Sequence, residues 1–376
     1  MSGRAYPLPG MRVTLGTPRV VGEGVGHFWF PQIAQCSTGE ILVRSSLFGD
    51  TNSGLLDGAG RVHVSSDGGE TWPFRYDVAG TRLGSQIPGS DNSYVAPTKL
   101  LYWDPSDPPG RFRGHLVRFL DGGRRHVFEP WTVTAEGFPR DVELHADADQ
   151  HGQRWRAGAN LRGKGQAVEV DGELVIATYL QFQGDARYSA AALASRDGGR
   201  SWRFRSIIVG CDAVPEAKQG PTETALVRLA DGDLMCVMRQ GPHTQPLLRA
   251  YSRDNGATWT PPDCLSAFSV DPTLMRLRNG ALVLAAGRPG IGLWISTDSR
   301  GESWQHVDLL AHHNTQLPDA AHTIGPYVGP NNVKREQTTS YTDMVEIAPD
   351  RLLLVYDRTP FYSQPVPLDS PERSRI

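Results

Sequence analysis

The feature that most constrains this chain is an octapeptide that recurs four times: SSDGGETW at Ser65–Trp72, SRDGGRSW at Ser195–Trp202, SRDNGATW at Ser252–Trp259 and, with one extra residue, STDSRGESW at Ser296–Trp304. Each fits Ser-x-Asp-x-Gly-x-x-Trp. A motif repeated in register marks a repeat architecture, in which copies of one supersecondary unit share a core. Asp bonds its own backbone and Gly tolerates positive φ, so the box is a turn. Its flanks, such as Gly60-Arg-Val-His-Val and Leu248-Leu-Arg-Ala-Tyr, are strand-like. Each box therefore reads as a hairpin turn with a Trp beneath it, and its Asp as a turn clip, not a catalyst.

A second pattern precedes the boxes. An apolar strand meets a tight turn and a second apolar strand at Phe30–Val43, Gln166–Thr178, Thr224–Met238, Pro272–Ala286 and Thr342–Tyr356, with an irregular copy between Val95 and Arg118. A hairpin followed by a box-closed hairpin makes a four-stranded antiparallel blade. Six such units point to an all-β, six-bladed β-propeller forming one domain over residues 1–376. The strands within residues 11–22 are expected to close the last blade, and 359–376 to form a C-terminal tail.

Composition limits the alternatives. Of 376 residues, 39% are hydrophobic and 21% charged, enough for a large core, and the net charge of -3 favours neither nucleic acid nor an anionic membrane surface. The longest apolar runs, such as Ala281–Ala286, fall far short of the roughly 20 residues that span a bilayer. The first residues, Met1-Ser-Gly-Arg-Ala-Tyr-Pro, lack an apolar signal core, so a cytoplasmic location is expected. Cys36, Cys211, Cys236 and Cys264 have no metal or redox spacing and read as reduced, buried thiols. No cofactor or metal is expected.

The repeats also orient the blades. Turns and boxes share one end of each sheet, so chemistry belongs at the other, where first strands begin and second strands end. Counting back nine residues from the turn gives Phe30 (beside Trp29), Glu223, Asp271 and Tyr341. Counting forward gives Arg239, Arg288 and Arg358. Arginines at such a mouth fit an anionic ligand held by charge-assisted bonds.

In these residues the chain resembles the sialidase (neuraminidase) superfamily of Asp-box propellers. Pro221-Thr-Glu223-Thr matches the family's Glu motif, Ser340-Tyr341-Thr-Asp matches its Tyr motif, and Arg239, sixteen residues after Glu223, matches an arginine of its carboxylate-binding triad. The resemblance implies an exo-acting glycoside hydrolase with a carbohydrate substrate, in which Glu223 activates Tyr341 as nucleophile. It places the acid/base in the loop at Asp50, with Asp57 as the second choice. Asp57, Asp271, Arg288 and Arg358 join Arg239 and Trp29 as substrate-binding candidates. The chain departs from the family where Trp29 occupies the position of the Arg in the Arg-Ile-Pro motif, and where residues 312–337 offer only Lys334 and Arg335 for a third arginine. It therefore reads as a divergent member, with Trp29 suited to stacking on a sugar face. A polysaccharide lyase with Tyr341 as base and a non-catalytic glycan-binding propeller are the alternative readings. The cluster Glu143, His145, Asp147, Asp149 and His151 fits no metal signature.

Overall fold

The computed structural model describes residues 4–25, 29–47, 60–78, 83–95, 101–149, 152–157, 159–160, 167–241, 245–268, 270–325, 337–359 and 373–376. Regular structure among them is almost entirely β, with a single α-helix, Leu309–Gln316. The chain forms two compact units, residues 1–80 with 267–376, and residues 81–266.

The first unit holds two four-stranded antiparallel sheets. One runs Trp29–Gln35, Ile41–Ser46, Gly60–Ser65, Phe74–Val78, and the other Val270–Arg276, Leu282–Gly287, Ile291–Ser296, Gln305–Asp308. Their second strands are buried at every position, which explains why they read as continuous apolar runs rather than alternating ones. A hairpin, Thr342–Ala348 with Arg351–Tyr356, carries the last repeat. Thr342 and Asp343 on this hairpin tie the first strands together. Asp343 Oδ2 accepts the Ile33 N–H at 3.0 Å, and the carbonyl of the preceding Thr342 accepts the Thr273 hydroxyl at 3.0 Å. Of the segment 11–22, Met11–Leu15 pairs with Arg4–Leu8, and Met11, Val13 and Leu15 alternate onto the core around Met344. The C-terminal residues contribute a strand, Arg373–Arg375, which pairs with Glu23–Val25 and bridges Arg358.

The second unit contains one four-stranded sheet, Thr222–Arg228, Leu234–Arg239, Pro246–Ser252, Asp263–Phe268, and one sheet of twelve strands. Two separate blades were expected where the twelve strands lie. They join because Arg125–Glu136 and Ser201–Val209 pair in parallel from Thr134↔Ser201 to Glu136↔Arg203. Edge N–H and C=O groups that would otherwise face solvent thereby satisfy one another.

All four boxes close hairpins between third and fourth strands; the first three share one hydrogen-bond pattern, and in the fourth, one residue longer, Asp298 accepts from the Glu302 and Ser303 amides. In the first, Ser65 Oγ donates to Asp67 Oδ1 at 2.7 Å and accepts the Gly69 N–H at 2.9 Å, while Thr71 donates its N–H and hydroxyl to Asp67. Ser252, Asp254, Gly256 and Thr258 repeat the pattern. The box glycine takes φ near +87° at Gly69 and Gly199, which is why it is glycine. Trp202 is fully buried and donates its indole N–H to Gly199 O at 2.9 Å. One expectation fails among the cysteines. Cys36, Cys211 and Cys236 are buried, but Cys264 is exposed because it lies on the edge strand Asp263–Phe268.

Candidate functional site

The first strands of the sheets share an irregularity at the end away from the boxes. Pairing skips between Trp29 and Gln32, between Thr222 and Ala225, and between Val270 and Thr273. In each gap one residue takes positive φ: Phe30 at +54°, Glu223 at +48° and Asp271 at +43°. These are β-bulges, which re-aim side chains at sheet ends. Positive φ is costly for a residue with a Cβ and persists only where surroundings enforce it. In the last hairpin the residue with positive φ is Ser340, at +63°, and pairing resumes two residues later at Thr342↔Tyr356. Tyr341 stands five residues before Glu346, which pairs with Leu352 across the turn, as Phe30, Glu223 and Asp271 stand five before Gln35, Arg228 and Arg276, which pair with Ile41, Leu234 and Leu282. The count from the turn therefore places Tyr341 with them, and what differs in the last hairpin is that positive φ falls one residue earlier, at Ser340.

In the second unit, Glu223 is buried and bonded to Arg239. The Arg239 Nη1 donates to Glu223 Oε1 at 3.0 Å, and its Nε donates to Gly241 O at 3.2 Å. Thr222 pairs with Arg239 across the strands, so the bulge at Glu223 lies next to the arginine that matches it in charge. The carboxylate and guanidinium found sixteen residues apart in sequence therefore form one buried ion pair.

In the first unit, Tyr341 is buried. Its ring packs edge-on to Phe30, 4.6 Å between centroids, in a small cluster with Val270. The residues before it are held on all sides. Thr338, Thr339 and Ser340 are fully buried, as is Asp357. Asp357 Oδ1 accepts the Thr338 hydroxyl and the Thr339 N–H, both at 2.8 Å, and its Oδ2 accepts the Thr339 hydroxyl at 2.5 Å and the Phe30 N–H at 3.2 Å. Burial pushes the Asp357 carboxyl up to about 6, against these hydrogen bonds, which pull it down. Arg288 donates to Thr339 O at 3.0 Å. Gly287 lies so close that a Cβ there would stand 2.5 Å from Ser340 O.

The remaining candidates sort as follows. Asp271 is buried at its bulge. Arg288 is buried, with positive φ, one residue beyond Gly287, which is the residue paired with Val270. Arg239 and Arg288 are therefore not at the same register position, although the count from the turns placed them together. Arg358 is half-buried and donates to Thr323 O at 3.1 Å. Trp29 opens its strand opposite Ser46. Asp50 and Asp57 lie outside the described residues. Within 312–325, His313 is buried, its Nδ1 2.7 Å from the Tyr356 hydroxyl and its Nε2 2.9 Å from His322 O. Since that carbonyl can only accept, Nε2 carries the proton and Nδ1 accepts from Tyr356. His145, Asp147 and Asp149 lie on the strand Leu144–Asp149, which pairs with Gly152–Ala157, Glu143 just precedes it, and His151 lies outside the described residues. Among the described residues no group of three or more His, Cys, Asp or Glu is placed to hold a metal ion. Sequence reasoning passed over Asp357 and Thr339. An Asp inside Val-Tyr-Asp-Arg at a strand end gives no local sign that its partners are more than 300 residues away at Phe30.

A family model described as a BNR repeat-like domain matches residues 123–350, more than half of the chain. Among solved structures, a protein of unknown function from Dyadobacter fermentans is similar over 95% of this chain and 97% of its own, with 16% identity and a TM-score of 0.58. Trypanosoma rangeli sialidase, in complex with 2,3-difluorosialic acid as a covalent intermediate, is similar over 93% of this chain and 53% of its own, with 14% identity and a TM-score of 0.52. Penicillium chrysogenum alpha-L-arabinanase, complexed with arabinobiose, aligns over 74% of this chain and 80% of its own, with 15% identity and a TM-score of 0.45. At these identities the likeness is one of fold. A search of curated proteins found no match.

Proposed function

Since the chain belongs to the BNR repeat-like domain family, within the sialidase-like superfamily, we propose that it is a six-bladed propeller and an exo-acting glycoside hydrolase of sialidase type. The substrate is a glycan or glycoside with an acidic sugar. Tyr341 is the nucleophile and Glu223 takes its proton. A phenol, with a pKa of about 10, needs such a base at neutral pH. A tyrosine also avoids the repulsion a carboxylate nucleophile would meet from an anionic sugar. Asp50 serves as acid/base, with Asp57 the second choice. Arg239 receives the acidic group, Trp29 stacks on the sugar face, and Asp271 shapes the pocket. Arg288 and Arg358 brace the segments they bond.

The observation that carries this reading is the treatment of Tyr341. A buried phenol follows a residue with positive φ, on a segment held by a buried carboxylate, an arginine and a close-approaching glycine. Strain of this kind, overdetermined by its surroundings, marks functional positions.

The test is a screen of aryl glycosides, sialosides and uronides among them, with wild type and Tyr341→Phe in parallel. An activated fluorosugar should label the Tyr341 peptide, read by mass spectrometry. The reading requires Glu223 and Tyr341 to act as one unit, so Glu223→Gln, Tyr341→Phe and the double variant should lose activity non-additively. An unsaturated, ultraviolet-absorbing product would instead mark elimination. Glycan binding unchanged in Tyr341→Phe, with no turnover in wild type, would overturn the enzymatic reading.

A further inference from the structure

Around Asp357 the hydrogen bonds form two parallel relays. Ser340 donates its N–H to the Thr338 hydroxyl at 3.0 Å, and that hydroxyl donates to Asp357 Oδ1 at 2.8 Å. Tyr341 donates its N–H to the Thr339 hydroxyl at 3.3 Å, and that hydroxyl donates to Asp357 Oδ2 at 2.5 Å. A hydroxyl has one proton to give. Each threonine hydroxyl gives that proton to the carboxylate and accepts a backbone N–H on a lone pair. The carboxylate therefore sets the direction of both relays. It also accepts the Phe30 N–H, and Phe30 is the ring against which Tyr341 packs. One buried group thus fixes the backbone under Tyr341 and the aromatic wall beside it. From the opposite side, Arg288 holds the Thr339 carbonyl.

We propose that Asp357 is the positioning residue of Tyr341: through Thr338, Thr339 and the Phe30 amide it holds the tyrosine in a single orientation for attack. It touches no substrate, and its effect is transmitted through the segment 338–341. The proposal extends the reading of Tyr341 as nucleophile, and its main readout is independent of that reading. Asp357→Asn keeps the shape but replaces one acceptor oxygen with a donor, so one relay must reverse or break. Thr339→Val removes the second relay at constant size.

The experiment is fluorine NMR of the full chain with 3-fluorotyrosine at position 341, together with thermal unfolding of each variant. Wild type should give one resonance. Asp357→Asn and Thr339→Val should give at least two resonances, or a line broadened by at least about twofold from exchange between orientations. Asp254→Asn, in a box, should lower the melting temperature and leave the resonance unchanged, which separates positioning from general loosening. On any substrate that the wild type cleaves, Asp357→Asn should lower kcat at least tenfold and leave KM within about threefold. If Asp357→Asn does not fold, Thr339→Val carries the test alone. Several resonances in wild type, or a folded Asp357→Asn or Thr339→Val variant whose resonance matches wild type, would overturn the proposal. Altered resonances with no glycosidase activity in any protein would uphold Asp357 as the orienting group and refute only the proposed reaction.

Discussion

The two ends of these sheets solve the same problem by different means. Both ends need residues in the left-handed region. At the box end the chain supplies glycine, at Gly69, Gly199 and Gly256, or a turn-forming Asn or Asp, at Asn255, Asp171 and Asp350, and satisfies the box turns with side chains at most a few residues away. At the other end it places Phe30, Glu223, Asp271 and Ser340 in that region, all with a Cβ, and holds them through distant partners. Asp357 reaches Phe30 across 327 positions of sequence. The box end is a self-contained turn repeated four times. The bulged end differs from sheet to sheet and exists only once the core has assembled. A motif that carries its own stabilisation can be copied, whereas a strained position is worth retaining only where it does something.

The largest effect that would break this contrast is on chemistry. Tyr341→Phe should abolish turnover by at least about 10³-fold in steady-state assays while leaving the melting temperature within a few degrees, because the ring still packs on Phe30. If activity survives, the bulged end has structure without function. Backbone space comes next. Gly287→Ala puts a Cβ 2.4 Å from Gly290 O and 2.5 Å from Ser340 O, both backbone atoms that cannot step aside. It should cost about 2–4 kcal/mol in denaturant unfolding, as overpacking in a tight core does. Gly39→Ala, at the turn end, has φ +101° but no heavy atom within 4 Å of the added Cβ. It should cost only about 1 kcal/mol, from the dihedral alone. Equal losses would mean that the two ends are packed alike.

How much of this was legible in sequence follows the same divide. The boxes, their hairpins and the role of Asp67 as a turn clip could be read because every partner lies within the octapeptide. The pairing of Glu223 with Arg239 was readable as two motif residues sixteen apart on adjoining strands. The place of Tyr341 was readable by the count from the turn, but the positive φ at Ser340, one residue earlier than in the four-stranded sheets, was not. Nor was Asp357, whose donors come from Phe30, Thr338 and Thr339, brought together only by packing of the last hairpin against the first sheet. The merged twelve-stranded sheet escaped for a related reason. Parallel pairing of two edge strands leaves no turn in the sequence to announce it.

The smallest effects test the contrast through pH. Asp254 is held below the usual carboxylate range, first by the Thr258 hydroxyl, so its contribution to stability is present above the unfolded pKa of about 4 and is lost as pH falls. Asp357 has the opposite sign. Burial raises it to about 6, so its contribution is complete below about pH 4 and is lost as pH rises through about 6. Melting curves between pH 4 and 7 should therefore separate two variants. Asp357→Asn should remove a decline of stability with rising pH, and Asp254→Ala should leave that decline in place while lowering stability by about 1 kcal/mol at neutral pH. Activity in the wild type should rise across the same interval in which Asp357 destabilises the fold, since only the ionised carboxylate takes both threonine protons. His313, bonded to the hydroxyl of Tyr356 next to Asp357 in the chain and held below the usual imidazole range chiefly by burial, also titrates in this window, and its contribution is the part of the pH dependence that Asp357→Asn leaves in place. Opposed trends of activity and stability, both flattened in Asp357→Asn and neither in Asp254→Ala, would show that the bulged end is kept at a cost to the fold that the box end never imposes.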